Sequence, residues 1–218
     1  MTKSIILYSH PSGPNPWKVA IILEELAILY ETSWVAKEDV KKEPFVLKNP
    51  NGRVPAIEDP NTGVTLFESG AIIQYLIDTY DKTNKLAYTN IPEKYLTVSW
   101  LHVQMSGQGP YFGQAAWFQW SHPEKDLTSA IDRYTNEIKR LVGVIDRHLK
   151  DTGAQYLVGN KCTYADLAFV MWDQLIPQLV SGWDFKTEVP YFAAWNDRIV
   201  ARPAVQKVLA DKAKATSH

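Results

Sequence analysis

The sequence predicts an α/β domain followed by an all-helical domain, and three observations predict it. Up to Tyr80, short apolar or β-branched runs alternate with amphipathic stretches in the order βαβ, then ββα. Residues 81–92 are polar, contain Asp, Asn, Lys and Pro, and show no periodicity, which marks a linker. Beyond them, the patterned stretches carry the 3.6-residue period of a helix. The expected division is a first domain over residues 1–80, a linker over 81–92 and a helical domain over 93–218.

The first run, SIILY at residues 4–8, is a buried strand that stops at a cluster of His, Pro, Ser, Gly and Asn. Asn15 stands where a helix N-cap belongs and Pro16 at the first helical position, with Val19, Ile22, Leu23 and Leu26 on one face. ETSWV at residues 31–35 is a second strand, and a return through a helix makes a right-handed parallel βαβ unit. Two further short strands, residues 54–58 and 64–67, flank the hairpin signal Pro60-Asn61-Thr62-Gly63. Ser69 opens a helix whose apolar positions are Ile72, Ile73, Leu76 and Ile77.

In the second domain, Tyr95, Val98, Leu101, His102 and Met105 share a helical face until residues 107–110 disturb it. A longer helix carries Ile131, Tyr134, Ile138, Leu141, Ile145 and Leu149. Thr163-Tyr-Ala-Asp166 fits a capping box, with Cys162 and Leu167 placed for a hydrophobic staple. The helix after it is almost wholly apolar, as a helix buried in mid-domain must be.

Composition narrows the function classes. Hydrophobic residues make up 45% and charged residues 22%, as in an ordinary globular protein. With 23 Lys and Arg against 24 Asp and Glu, no positive field draws the chain to nucleic acid or anionic lipid. The single cysteine, Cys162, excludes an intrachain disulfide, a CxxC redox motif and a multi-cysteine zinc site, so a reducing, cytoplasmic setting is expected. The opening apolar run is too short for a signal core or a membrane span. The five histidines show no HxxxH or HxH spacing, so no metal is implied. Neither a P-loop, a G-x-S-x-G nor a G-x-G-x-x-G occurs.

Chemistry concentrates in four segments of the first domain: SHPSGPNPWKV from Ser9, the pair Lys41-Lys42, NPNGRVPAI from Asn49, and ESGAI from Glu68. Their order and spacing resemble the glutathione-binding, thioredoxin-like domain of the glutathione transferase superfamily, and TYADLAF resembles its helix-capping motif. Within the superfamily the chain is most similar to the fungal class named after a yeast nitrogen-catabolite repression regulator. The match includes Arg133-Tyr-Thr-Asn-Glu137 and Ser106-Gly-Gln-Gly-Pro110. The resemblance covers essentially the whole chain.

The resemblance implies a set of contacts. Val54, before a cis Pro55, pairs by its main chain with the cysteinyl unit of glutathione, a form of strand addition. Ser69, at a helix N-terminus, holds the γ-glutamyl carboxylate, while Glu68 meets the γ-glutamyl ammonium. Arg53, and less directly Lys41, face the glycine carboxylate, although a solvated surface charge is the plainer account of Lys41. Asn15 falls where this class places a residue beside the sulfur, and Ser12 where serine-using classes place their hydroxyl. Gly13 stands where thiol-using relatives carry cysteine, against disulfide exchange. For the electrophile, Tyr111 and Trp117 are candidate walls of an apolar pocket, and core or dimer packing accounts for them as well.

The expected function is a transferase that activates the glutathione thiolate for attack on a hydrophobic electrophile, with glutathione as cosubstrate and no metal. Peroxidase activity and a detoxifying role go with it. Alternatives are a non-catalytic glutathione-binding regulatory module and a dedicated biosynthetic transferase of secondary metabolism. A homodimer is implied by the resemblance, with no nucleic acid or membrane partner.

Overall fold

The computed structural model describes residues 2–124 and 126–217, so the outer limits of the expected domains, Met1 and His218, lie outside the described residues. Packing divides the chain into one unit up to Ala87 joined by the segment from Ala201 onward, and a second unit, Tyr88–Val200. The last helix therefore groups with the first unit, although the sequence runs it on from the helical domain.

In the first unit, β1 (Ile5–Ser9), α1 (Pro14–Glu25) and β2 (Tyr30–Trp34) form a parallel βαβ unit. β3 (Ala56–Asp59) runs antiparallel to β1, and β4 (Val64–Phe67) antiparallel to β3, giving the sheet order β2-β1-β3-β4. α2 (Ser69–Tyr80) follows. This is the expected α/β domain of thioredoxin-like type, with strand limits moved by one or two residues. The hairpin turn is secured by Asp59, whose carboxylate accepts from the Asn61 N–H at 2.8 Å, from Tyr75 Oη at 2.7 Å and from Tyr80 Oη.

α1 is apolar nearly all round and buried nearly all round, including residues 16–23. It packs against β1, α2 and the final helix α10 (Pro203–Thr216). The helix starts at Pro14 with Gly13 as N-cap, two residues ahead of the expected start. Pro14, not the expected Pro16, takes the N1 place, where the missing N–H costs nothing and the fixed φ suits the helix. Asn15 thus lies within the first turn, and the cap is not its task.

In the second unit, α3 (Glu93–Val103) does not break at residues 107–110 but widens into a π-turn, Gln104–Gln108, and continues as α4 (Gly109–Ala116) and a second π-turn, Trp117–Ser121. Inserting an extra residue per turn absorbs Gly107, Gly109 and Pro110 without ending the helix. α5 (Thr128–Thr152) packs on α4 and on α9 (Pro190–Val200). At the centre lies α6 (Tyr164–Asp173), every residue of it buried. Two short helices, α7 (Ile176–Leu179) and α8 (Phe185–Glu188), connect it to α9.

The predicted capping box is present and does more than cap. Asp166 accepts from the Thr163 N–H at 2.8 Å and Oγ1 at 2.7 Å, from the Leu157 N–H at 2.8 Å and from Trp195 Nε1 at 2.9 Å. One fully buried carboxylate therefore joins the helix start, the preceding loop and α9. Its pKa is raised by burial, against the pull of those four donors.

Candidate functional site

Strand register gathers the candidate residues of the first unit at one end of the sheet. Tyr8 lies opposite Ala56, and Ala56 opposite Phe67. The exit of β1, the entry of β3 and the exit of β4 consequently share an edge. From that edge leave the loop carrying Ser12 and Asn15, the segment carrying Arg53, Val54 and Pro55, and the junction Glu68-Ser69. Ligands in open α/β sheets collect beyond the carboxyl ends of strands, and this edge is the carboxyl end of β1.

The segment before β3 is organised by Asn49, which is 2% exposed. Its Nδ2 donates to the Arg53 carbonyl at 2.5 Å, and its Oδ1 accepts the Asn51 N–H at 2.9 Å. Gly52 turns with φ +61°, and a Cβ there would lie 3.0 Å from the Val40 carbonyl oxygen and 3.1 Å from Lys41 Cγ. Only glycine suits that turn. The same closeness sets Lys41 beside the residue preceding Arg53. The Val54–Pro55 bond is cis. Among the described residues, neither the N–H nor the C=O of Val54 has a protein partner.

At the junction, α2 begins at Ser69 with Glu68 as N-cap. Glu68 holds φ 69° and ψ 114°, a conformation unfavourable for a residue with a Cβ. Ser69 is 3% exposed, whereas the Glu68 side chain is exposed and accepts from Asn51 Nδ2 at 3.2 Å. A first helical turn has N–H groups without intrahelical acceptors and the positive end of the dipole, so it favours an anion.

The α1 terminus is different. Of the four residues from the N-cap onward, Pro14 and Pro16 have no N–H, and that of Gly13 goes to the His10 carbonyl at 3.2 Å. Asn15 stands between those two prolines, at the second helical position. Ser12 is exposed, with its Oγ 3.1 Å from His10 Nδ1. Tyr8 is committed elsewhere: its hydroxyl donates to Glu58 Oε2 at 2.6 Å, and Lys48 Nζ contacts the other oxygen at 2.5 Å. Burial and the Glu58 carboxylate raise the Tyr8 pKa, so a tyrosinate is disfavoured there.

One residue escaped the sequence reading. Lys18 in α1 is 1% exposed, and burial lowers its pKa to about 7, opposed by attraction to Glu68. A signal existed: Trp17 to Leu23 is apolar throughout except for this lysine, so a helix buried on all sides had to bury its charge.

In the second unit, Tyr111 lies in α4 and Trp117 opens the following π-turn. The Tyr111 ring is 6.1 Å from that of Tyr134, which stacks on Phe118 at 5.5 Å. Trp117 is 47% exposed and meets His122 edge-on at 6.2 Å.

A mixed sheet with two flanking helices, an anion-favouring helix start beside a segment with unpaired main-chain groups, and an all-helical second unit define the class. The chain belongs to the glutathione S-transferase family. Its sequence matches the family's N-terminal domain over residues 7–84 and C-terminal domain over residues 113–212. It is 50% identical to the glutathione S-transferase-like protein OpS6 of Beauveria bassiana, with 96% of each chain covered. Glutathione S-transferase 2 of Schizosaccharomyces pombe is 43% identical, again with 96% of each covered. Within the family the resemblance is to the Ure2-like group: the glutathione transferase URE2P6 of Phanerochaete chrysosporium, solved in complex with oxidized glutathione, superposes with a TM-score of 0.92 at 45% identity over 98% of each chain. Among the described residues, no group of three or more metal-ligating side chains occurs, and no helix is long and apolar enough to cross a membrane.

Proposed function

We propose that the chain is an enzyme that binds glutathione at this sheet edge and activates its thiol for transfer to a hydrophobic electrophile. The observation that carries the reading is the main chain of Val54, unpartnered among the described residues, at the same sheet edge as the N-terminus of α2. An extended peptide aligned on Val54 gains two main-chain hydrogen bonds as an added strand. Its γ-glutamyl carboxylate meets Ser69 and the first turn of α2, and its ammonium meets Glu68. Its glycine carboxylate extends toward Arg53 and Lys41.

That alignment carries the cysteinyl sulfur toward the β1–α1 loop. Lowering a thiol pKa by about two units needs about 2.7 kcal/mol. A hydrogen bond to a charged group contributes about 1.5 to 3 kcal/mol. One donor therefore nearly suffices, and Asn15 is assigned that role, with the Ser12 hydroxyl the runner-up. The thiolate then forms a bond to the electrophilic carbon as the leaving group departs with the bonding pair. Tyr111 and Trp117 are assigned to the second substrate. Detoxification in the cytoplasm and a homodimeric state complete the proposal, the latter checked by sedimentation.

The test is turnover with glutathione and a chlorinated nitroaromatic, and with an organic hydroperoxide. Conjugate formation is expected with the first. Tight glutathione binding without turnover of either substrate would instead favour a glutathione-binding regulatory module.

A further inference from the structure

We propose that Asn51 is a positioning residue that sets the Glu68 carboxylate for the γ-glutamyl ammonium, an inference resting on the functional reading above. The bond spans 17 positions of sequence, from the turn before β3 to the start of α2, with Nδ2 donating to Oε1 at 3.2 Å. Asn51 is itself fixed. Its N–H is held by the buried Asn49, the same residue that holds the Arg53 carbonyl, and the Gly52 N–H donates to the Asn49 carbonyl at 2.9 Å. A rigid turn thus presents one amide donor to one exposed, flexible carboxylate.

The consequence is preorganisation. A glutamate side chain on an exposed helix start samples many rotamers, and ordering it on binding opposes affinity. Asn51 selects one placement beforehand. By accepting at Oε1, Glu68 keeps Oε2 to receive an ammonium N–H. A neutral amide does this without competing for the carboxylate's charge, as a lysine or arginine at position 51 would. Asn51 thereby joins the turn that carries Arg53 and Val54 to the residue at the other end of the bound peptide.

The experiment compares two ligands by calorimetry on the full chain: glutathione, and an analogue in which the γ-glutamyl amino group is replaced by hydrogen. Proteins are the wild type, Asn51→Ala, Glu68→Gln and the double variant, each with its unfolding midpoint measured. Asn51→Ala is expected to weaken glutathione about fivefold, as for one modest hydrogen bond, to leave the analogue unchanged, and to add nothing to Glu68→Gln. Equal weakening of both ligands would mean that Asn51 only shapes the turn around Arg53 and Val54, and would overturn the proposal. So would unchanged binding of glutathione by Asn51→Ala when the wild type still prefers it over the analogue. A wild type that binds both ligands alike, or neither, would remove the assigned role of Glu68 itself and the proposal with it.

Discussion

Arg202 grips Glu25 through two parallel hydrogen bonds, Nε to Oε1 at 2.6 Å and Nη2 to Oε2 at 2.9 Å. The two residues are 177 positions apart, and the contact fastens the segment entering α10 to the end of α1. The Glu25 side chain is 4% exposed and is also met by Lys85 at 3.1 Å. Burial raises its pKa, but the bonds from Arg202 and Lys85 outweigh that and hold it below the usual carboxylate range. Lys207 adds a second tie, reaching Glu24 at 2.5 Å and Asp211 at 3.1 Å.

Arg202→Ala leaves a buried carboxylate with Lys85 as its remaining cationic partner. Removing one member of a buried pair costs about 3 to 5 kcal/mol, and the surviving lysine places the loss near the lower end. Chemical denaturation checks this. Because the folded pKa of Glu25 is depressed, its contribution is present above the unfolded value and fades as pH falls through the folded one. The variant and wild type should converge in stability under acid.

Asn15→Ala is expected to lower turnover more than tenfold while glutathione affinity falls modestly. On the reading proposed above, a donor aimed at the developing thiolate acts on the sulfur, whereas Val54 and α2 hold most of the peptide. Steady-state kinetics beside calorimetry separate the two effects. Unchanged turnover would transfer the role to Ser12.

Lys18 gives the first unit a pH signature. Its folded pKa of about 7 lies below the unfolded value of 10.5, so between these the unfolded chain binds the extra proton. Stability contributed by this site must therefore rise with pH from about 7 toward the onset of tyrosine ionisation. In Lys18→Met, which keeps the volume and removes the charge, that rise should disappear from unfolding free energies measured across the window.

Asp173 has the opposite sign. Gln108 Nε2 donates to its Oδ1 at 2.7 Å, while Oδ2 is buried without a partner among the described residues. Burial pushes its pKa well above 3.8, with the Gln108 bond pulling the other way. Stability from this carboxyl is full below the unfolded value and is lost as pH climbs through the folded one. Asp173→Asn keeps an oxygen for Gln108 but cannot ionise, so its stability relative to the wild type should improve with rising pH in denaturant titrations.

Much of the architecture was legible because periodicity reports burial one element at a time. The run SIILY, the face Val19-Ile22-Leu23 and the capping box at Thr163 each state their structure locally. The start of α1 was misplaced by two residues because Pro14 and Pro16 are equally suited to a first turn, and composition alone does not rank them. The π-turns were legible only as a disturbance, since glycine and proline signal a break whether the helix stops or widens.

By itself the sequence determined the order of the strands and of the longer helices through α6, the turn glycines and the motifs at residues 49–57 and 68–72, because each depends on neighbours within a few positions. Only tertiary structure decided which long-range partners those residues meet. That Lys18 is dehydrated, that Glu68 answers to Asn51, that Asp166 reaches Trp195 and that Arg202 returns to Glu25 all depend on segments folded back over tens of residues. A hydrogen bond needs its donor and acceptor within about 3.2 Å, and an ion pair weakens as its charges separate, so distance in space, which local patterning does not encode, assigns these pairs.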